Sequence, residues 1–160
     1  MFFMLNWQSS VKLRLSSIWE VLPAGVFKIN TDAALNFRNN ISGIGVAIRD
    51  CNGHVMASLC QHIGTAYQPQ IAETLAILRC LKLAVETGLV PAVVESDALS
   101  VVNAITSKMV PNTEVGMVIH DILCILRNSN FISVKLLPRL ANKVSHSLAR
   151  LALGYVGEFV

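Results

Sequence analysis

Three carboxylates stand in places where a carboxylate is costly. Asp32 lies in Lys28-Ile-Asn-Thr-Asp-Ala-Ala34, Glu73 in Ile71-Ala-Glu-Thr-Leu-Ala76, and Asp97 in Val94-Glu-Ser-Asp-Ala98. Acids are scarce, with ten Asp and Glu in 160 residues, and each of these sits inside or beside a stretch otherwise apolar enough to be interior. Burying a carboxylate is unfavourable unless a cation or hydrogen bonds compensate it. The pattern points to a metal site.

Glu73 makes the point most sharply, because it can be placed on a helical wheel. Ile71, Leu75, Leu78, Leu81 and Val85 recur at helical spacing, with Ala72, Ala76 and Ala84 between them, so residues 70–86 form one amphipathic helix. At about 100° per residue, Arg79, Lys82 and Glu86 cluster roughly 180 to 240° away from Glu73. Glu73 therefore points away from the solvated face. The plainer reading is an acid near the helix N-terminus, favoured by the dipole; against it, this residue faces the side where a sheet should lie.

The elements that must position these acids follow from the same patterning. Residues 26–31 and 43–49 read as strands, and Asp50-Cys-Asn-Gly53 is a hairpin turn leading into a third strand over 54–62. Three antiparallel strands thus come first. The long helix follows and ends near Thr87-Gly88, where the glycine is a C-cap. Residues 91–95 are a short buried strand, and Asp97 opens a helix over 98–106. A polar break at Pro111-Asn-Thr113 precedes an amphipathic helix over 114–127, then a fifth strand over 131–137 and a last helix over 143–153. The order βββ-α-β-α-α-β-α describes an α/β mixed sheet covered by helices.

Composition bounds the function classes. The chain has the length of one domain with a sizeable core. At 53% hydrophobic residues and a mean hydropathy of +0.55 it is strongly apolar, yet no uninterrupted apolar run approaches a bilayer-spanning length, so no membrane partner is expected. A net charge of +3 permits nucleic acid as a partner without requiring it. Cys51, Cys60, Cys80 and Cys124 form no C-x-x-C pair, which removes zinc-ribbon and thioredoxin-type readings. Cys80 and Cys124 read as core residues, and a reducing, intracellular compartment, nuclear or cytoplasmic, fits best. Residues 1–18 read as an extension without a secretory signal; their serines and the absence of acids before Glu20 leave organelle targeting open. Residues 154–160 read as a tail.

Each candidate also has a plainer reading. Asp97, following Ser96, has the type and place of a helix N-cap, and Asp32 those of a strand end. Gly43 and Gly45 are weak evidence for a phosphate loop, since close strand packing or a bulge accounts for them at least as well. His54, His62 and His120 form no spaced metal motif, and Arg79 with Lys82 reads as a solvated helix face. Joint occurrence decides the case.

Taken in order, Trp19…Pro23…Gly25-Val-Phe-Lys-Ile-Asn-Thr-Asp-Ala-Ala34, Gly43-Ile-Gly-Val-Ala-Ile-Arg-Asp50, Ala72-Glu-Thr-Leu-Ala76, Glu95-Ser-Asp97 and Pro138-Arg-Leu-Ala-Asn-Lys-Val-Ser-His-Ser-Leu-Ala149 resemble the ribonuclease H-like domain abundant in plant genomes. That family is related to the ribonuclease H of reverse transcriptases. The resemblance spans residues 19–153 and implies a five-stranded mixed sheet, its first three strands antiparallel, flanked by helices. It also implies cleavage of the RNA strand of RNA/DNA hybrids with two Mg²⁺ ions, Mn²⁺ being the alternative; the chain is expected to act as a monomer. Hard divalent cations favour oxygen ligands, and two ions about 4 Å apart stabilise the attacking and leaving oxygens together. By motif, Asp32 would bridge both ions, with Glu73 and Asp97 as further ligands.

The fourth acid of the family pattern Asn-x-x-x-Asp-x-Leu-Ala falls on His146 in Asn142-Lys-Val-Ser-His-Ser-Leu-Ala149. A neutral imidazole can ligate a divalent ion but brings no negative charge; the alternative is a packed helix residue. Leu136-Leu-Pro-Arg139 replaces the loop in which many relatives carry a histidine. Two function classes follow: a metal-dependent endonuclease using Asp32, Glu73, Asp97 and His146, or a related nucleic-acid-binding or interaction module without catalysis. The enzyme reading requires Asp32, Glu73 and Asp97 to lie within about 10 Å of one another, given ions about 4 Å apart.

Overall fold

Alternation within the first strands sets the two faces of a six-stranded sheet. The computed structural model describes residues 21–160; the extension over residues 1–18 and Trp19 lie outside the described residues. Strands β1 (Phe27–Asn36), β2 (Ile41–Arg49) and β3 (Val55–Ile63) form an antiparallel meander. The turn into β3 is built by Asp50, whose Oδ1 accepts from the amides of Asn52 and His54 at 2.9 and 2.8 Å, while Gly53 takes φ +86°, a conformation open to glycine.

Helix α1 (Pro69–Glu86) starts with proline in its first turn, where the missing N–H costs nothing. It ends on Gly88 at φ +70°, with Gly88 N donating to Val85 O and Leu89 N to Ala84 O, the paired bonds of a Schellman motif. Strand β4 (Ala92–Ser96) leads through Asp97 into α2 (Leu99–Thr106); then come α3 (Glu114–Asn128), β5 (Phe131–Leu136), a 3₁₀ turn (Arg139–Ala141) and α4 (Lys143–Ala152). Thr113 caps α3 by accepting from Gly116 N.

With Glu158–Phe159 as β6, the strand order is β5-β4-β1-β2-β3-β6. Among the described residues the sheet has six strands rather than five, because β6 pairs with β3, within residues expected as a tail. Arg79 anchors that segment, bonding Glu158 at 2.8 Å and Glu86 at 3.2 Å. It is thus a paired, largely covered residue instead of part of a solvated face, while Lys82 is exposed. Cys80 is in the core as expected, whereas Cys124 is only half-buried on α3. Among the described residues no helix is long and apolar enough to cross a membrane.

The main core lies between the sheet and α1, α2 and α3, where Ile29, Ile48, Leu59, Ile77, Leu81, Ile119 and Ile122 are fully buried. Helix α4 lies over Gly43 and Gly45 of β2. A Cβ on Gly43 would stand 2.1 Å from Ala149 O, and one on Gly45 2.1 Å from Ser145 O and 2.4 Å from Ala149 N. The two glycines thus let the α4 backbone rest directly on the strand, the close-packing role expected for them.

Gly45→Ala should therefore lower stability by about 1–3 kcal/mol, the usual cost of overpacking. Gly64→Ala, whose Cβ would meet nothing within 4 Å, should leave the urea midpoint near that of the parent. Equal midpoints for the two variants would show that α4 has room to lift.

Candidate active site

β1 and β4 run parallel, and their last paired residues are Asn30 and Glu95. Beyond that pair β1 continues to Asn36 while β4 turns into α2, so the strands part. Asp32 stands two residues past the last pair on β1 and Asp97 two past it on β4. Open α/β sheets bind ligands at such places, outside the carboxyl ends of parallel strands.

Asp32, Glu73 and Asp97 converge there, each offering a carboxylate oxygen within 4.8 Å of the others. Asp32 is nearly buried and lies inside β1, opposite Gly45, so it does not merely end a strand. Glu73 is beyond the first turn of α1, which removes the dipole reading. Asp97 caps nothing: the N-cap of α2 is Ala98, without a side-chain cap, and the Ala98 amide donates to Ser96 Oγ.

His146 reaches the cluster from α4, its Nδ1 lying 2.7 Å from Asp32 Oδ2. It joins through Asp32; the group whose ligand atoms lie within 4.8 Å of one another comprises the three acids. Asp32 Oδ1 accepts from the Ala33 amide at 2.9 Å. Asp97 Oδ1 accepts from Asn142 Nδ2 at 3.2 Å, and its Oδ2 lies 4.0 Å from Arg139 Nε, an exposed side chain at the rim. Glu73 is least well provided: its Oε2 is buried without a hydrogen-bond partner.

The electrostatics follow. Burial, then the charges of Asp32 and Asp97, push Glu73 up to about 9. Burial also raises Asp32 above the usual carboxylate range, opposed by the His146 hydrogen bond and reinforced by the Asp97 charge. Converging oxygen donors, an orphaned buried carboxylate oxygen and repulsion among three acids fit a divalent cation with oxygen ligands. Asp32, Glu73 and Asp97 are the residues that could hold it.

Asn142 and Arg139 carried no assigned role in the sequence reading. Asn142 belongs to the same motif as His146 and sits at the start of a helix, a place where asparagine reads as a simple cap. Its reach across to Asp97 is a tertiary fact with no signature in local sequence. Arg139 was visible as the residue standing in the altered loop before the last helix.

Strand order and site together define a ribonuclease H-like α/β fold. The profile of the Reverse transcriptase-like family matches residues 30–152, and the chain belongs to that family. Ribonuclease H1 of the archaeon Halobacterium salinarum superposes with a TM-score of 0.73 at 19% identity, over 81% of this chain and 98% of that one. The N-terminal ribonuclease H domain of a Mycobacterium tuberculosis protein gives 0.72 at 21%, over 81% and 94%. A compost metagenomic ribonuclease H1, LC11, solved in complex with an RNA/DNA hybrid, gives 0.71 at 20%, over 80% and 96%. No curated protein sequence matches the chain significantly.

The raised Glu73 carboxyl has a signature in the metal-free protein. The group ionises near 4.5 in the unfolded chain and near 9 in the folded one, so between those values the folded state holds the extra proton and stability falls as pH rises. The contribution is complete below about 4.5 and is lost as pH passes about 9. In chelator, the melting temperature should fall from pH 5 to pH 9, and Glu73→Gln should flatten the fall and melt above the parent at pH 8. A Gln variant with the parent's slope would remove Glu73 as its source.

Proposed function

We propose that this chain is a metal-dependent endonuclease of the ribonuclease H type, hydrolysing the RNA strand of RNA/DNA hybrids as a monomer whose catalytic unit spans residues 19–153. The observation that carries the reading is the convergence of Asp32, Glu73 and Asp97 within one ion's reach at the parting of β1 and β4. The hybrid bound by the similar LC11 enzyme supports the substrate class.

Asp32, Glu73 and Asp97 would hold two Mg²⁺ ions, or Mn²⁺ in their place, with His146 as the fourth ligand. When bound, such ions activate a water nucleophile and stabilise charge on the attacking and leaving oxygens of the phosphodiester. Asp32, in contact with His146 and within reach of both other acids, would serve both ions. Arg139, exposed beside Asp97, supplies positive charge at the rim, where a backbone phosphate would approach. RNA would be distinguished from DNA through its 2′-hydroxyls.

One observation favours a second reading, a binding module without catalysis. His146 brings no negative charge to the site, and its Nδ1 is engaged with Asp32.

Cleavage of a labelled hybrid separates the two. The chain should cut the RNA strand in Mg²⁺ or Mn²⁺ and stop in chelator, and Asp32→Asn should lose at least about 100-fold, since even groups behind metal ligands cost 10- to 100-fold when removed. Hybrid binding without cleavage in either metal would establish the module. His146→Asp should raise activity in Mg²⁺ and reduce preference for Mn²⁺, because imidazole suits borderline ions and carboxylate suits hard ones. An unchanged metal preference would remove His146 from the ligand set.

A further inference from the structure

Behind the acids lies one side chain that touches every element of the site except α1. Asn142 is 2% exposed and occupies the N-cap position of α4, yet makes no side-chain cap to its own helix. An asparagine there ordinarily accepts from an amide of the first helical turn. Here the amide is turned away. Its Nδ2 donates to the Thr31 carbonyl on β1 at 2.9 Å and to Asp97 Oδ1 at 3.2 Å.

The orientation is fixed by chemistry. The Thr31 carbonyl only accepts, and an ionised Asp97 carboxylate only accepts, so the group facing both must be the NH₂. The amide oxygen is left to face Ser145 Oγ, which is fully buried and donates to it. Both N–H bonds and the carbonyl of one buried side chain are thereby used. The Asn142 main chain adds a further tie, because its carbonyl accepts from the His146 amide at 3.1 Å.

We propose that Asn142, oriented by Ser145, is a positioning residue for the metal site: it fixes the Asp97 carboxylate against β1 beside Asp32 and sets the α4 turn that carries His146. No other side-chain type of similar size offers two donors and an acceptor in this geometry. Aspartate would face two acceptors with a carboxylate, and serine supplies a single donor. The role rests on the metal-dependent reading of Asp32, Glu73 and Asp97, and it concerns geometry already present in the metal-free protein.

The test compares the parent with Asn142→Ala, Ser145→Ala and Ile122→Ala. Ile122 is a fully buried residue of α3 and serves as a control for loss of stability alone. Mn²⁺ affinity is measured by calorimetry at a temperature where all variants are folded. Asn142→Ala should weaken binding about 10- to 100-fold, the range for groups that orient metal ligands, and Ser145→Ala should weaken it less, while Ile122→Ala should bind as the parent does. Metal-free crystal structures of the two site variants supply a second readout: the three acids should no longer fall within the parent's 4.8 Å of one another.

Parent-like Mn²⁺ affinity with the acids still together in both site variants would overturn the inference and leave the proposed function standing. So would an Ile122→Ala variant weakened as much as Asn142→Ala. A parent chain that binds no Mn²⁺ would overturn the metal-dependent function instead, and the metal-free structures would then decide the role of Asn142. Should Asn142→Ala fail to fold, Ser145→Ala decides by the same two readouts.

Discussion

Mutual repulsion of three carboxylates is the constraint around which this molecule is arranged. Two unit charges 4 Å apart cost about 4 kcal/mol at the effective dielectric of a protein surface, and here one carboxylate oxygen from each of three acids lies within 4.8 Å of the others. Each is treated differently. Asp32 gains the Ala33 amide and the His146 imidazole, and Asp97 gains the Asn142 amide. Glu73, with a buried and unpartnered oxygen, keeps its proton instead. Sites that bind and react store unfavourable energy of this kind, and the surrounding structure must hold it in place.

That holding is done by a polar clamp in the sheet as well as by the apolar core. Two residues before Asp32 and Asp97, Asn30 Nδ2 donates to Glu95 Oε2 at 2.9 Å, Lys28 Nζ lies 3.3 Å from Glu95 Oε1, and Arg49 donates to Asn30 at 3.2 Å. The Lys28–Glu95 pair is almost fully buried. A buried ion pair adds little net stability, because desolvation offsets attraction, but breaking it is expensive, so it disfavours any slip of β1 against β4. A slip of one residue would turn Asp32 to the opposite face of the sheet. Gly43 and Gly45 settle the other approach, by letting α4 bring His146 down to Asp32.

Much of this was legible in the chain itself. The long helix, the hairpin and its turn, the buried fourth strand and the three acids were readable because each depends on local periodicity or on a residue type out of keeping with its neighbours. Helix α2 begins one residue later than its pattern suggests, since Asp97 turns inward and leaves the cap position to Ala98. Arg79 read as solvated because its partner Glu158 is far along the chain in β6, a two-residue strand too short to show alternation. Asn142 escaped for the same kind of reason. Its partners Thr31 and Asp97 lie 111 and 45 residues away, and no window of sequence contains them together.

His146 makes one interaction that would serve the metal-free and a metal-bound state unequally. A fourth carboxylate in its place would add a like charge to a cluster already under repulsion, whereas an imidazole with its proton on Nδ1 gives Asp32 a hydrogen bond at 2.7 Å. The metal-free protein is thereby stabilised. A cation binds the folded site in proportion to the difference between the two states, so whatever stabilises the metal-free cluster without also holding the ion weakens binding by the same amount. To ligate through Nδ1, His146 must surrender its bond to Asp32. The Asp32–His146 bond is therefore the element on which the enzyme and the binding module diverge, although both are compatible with the same fold and the same three acids.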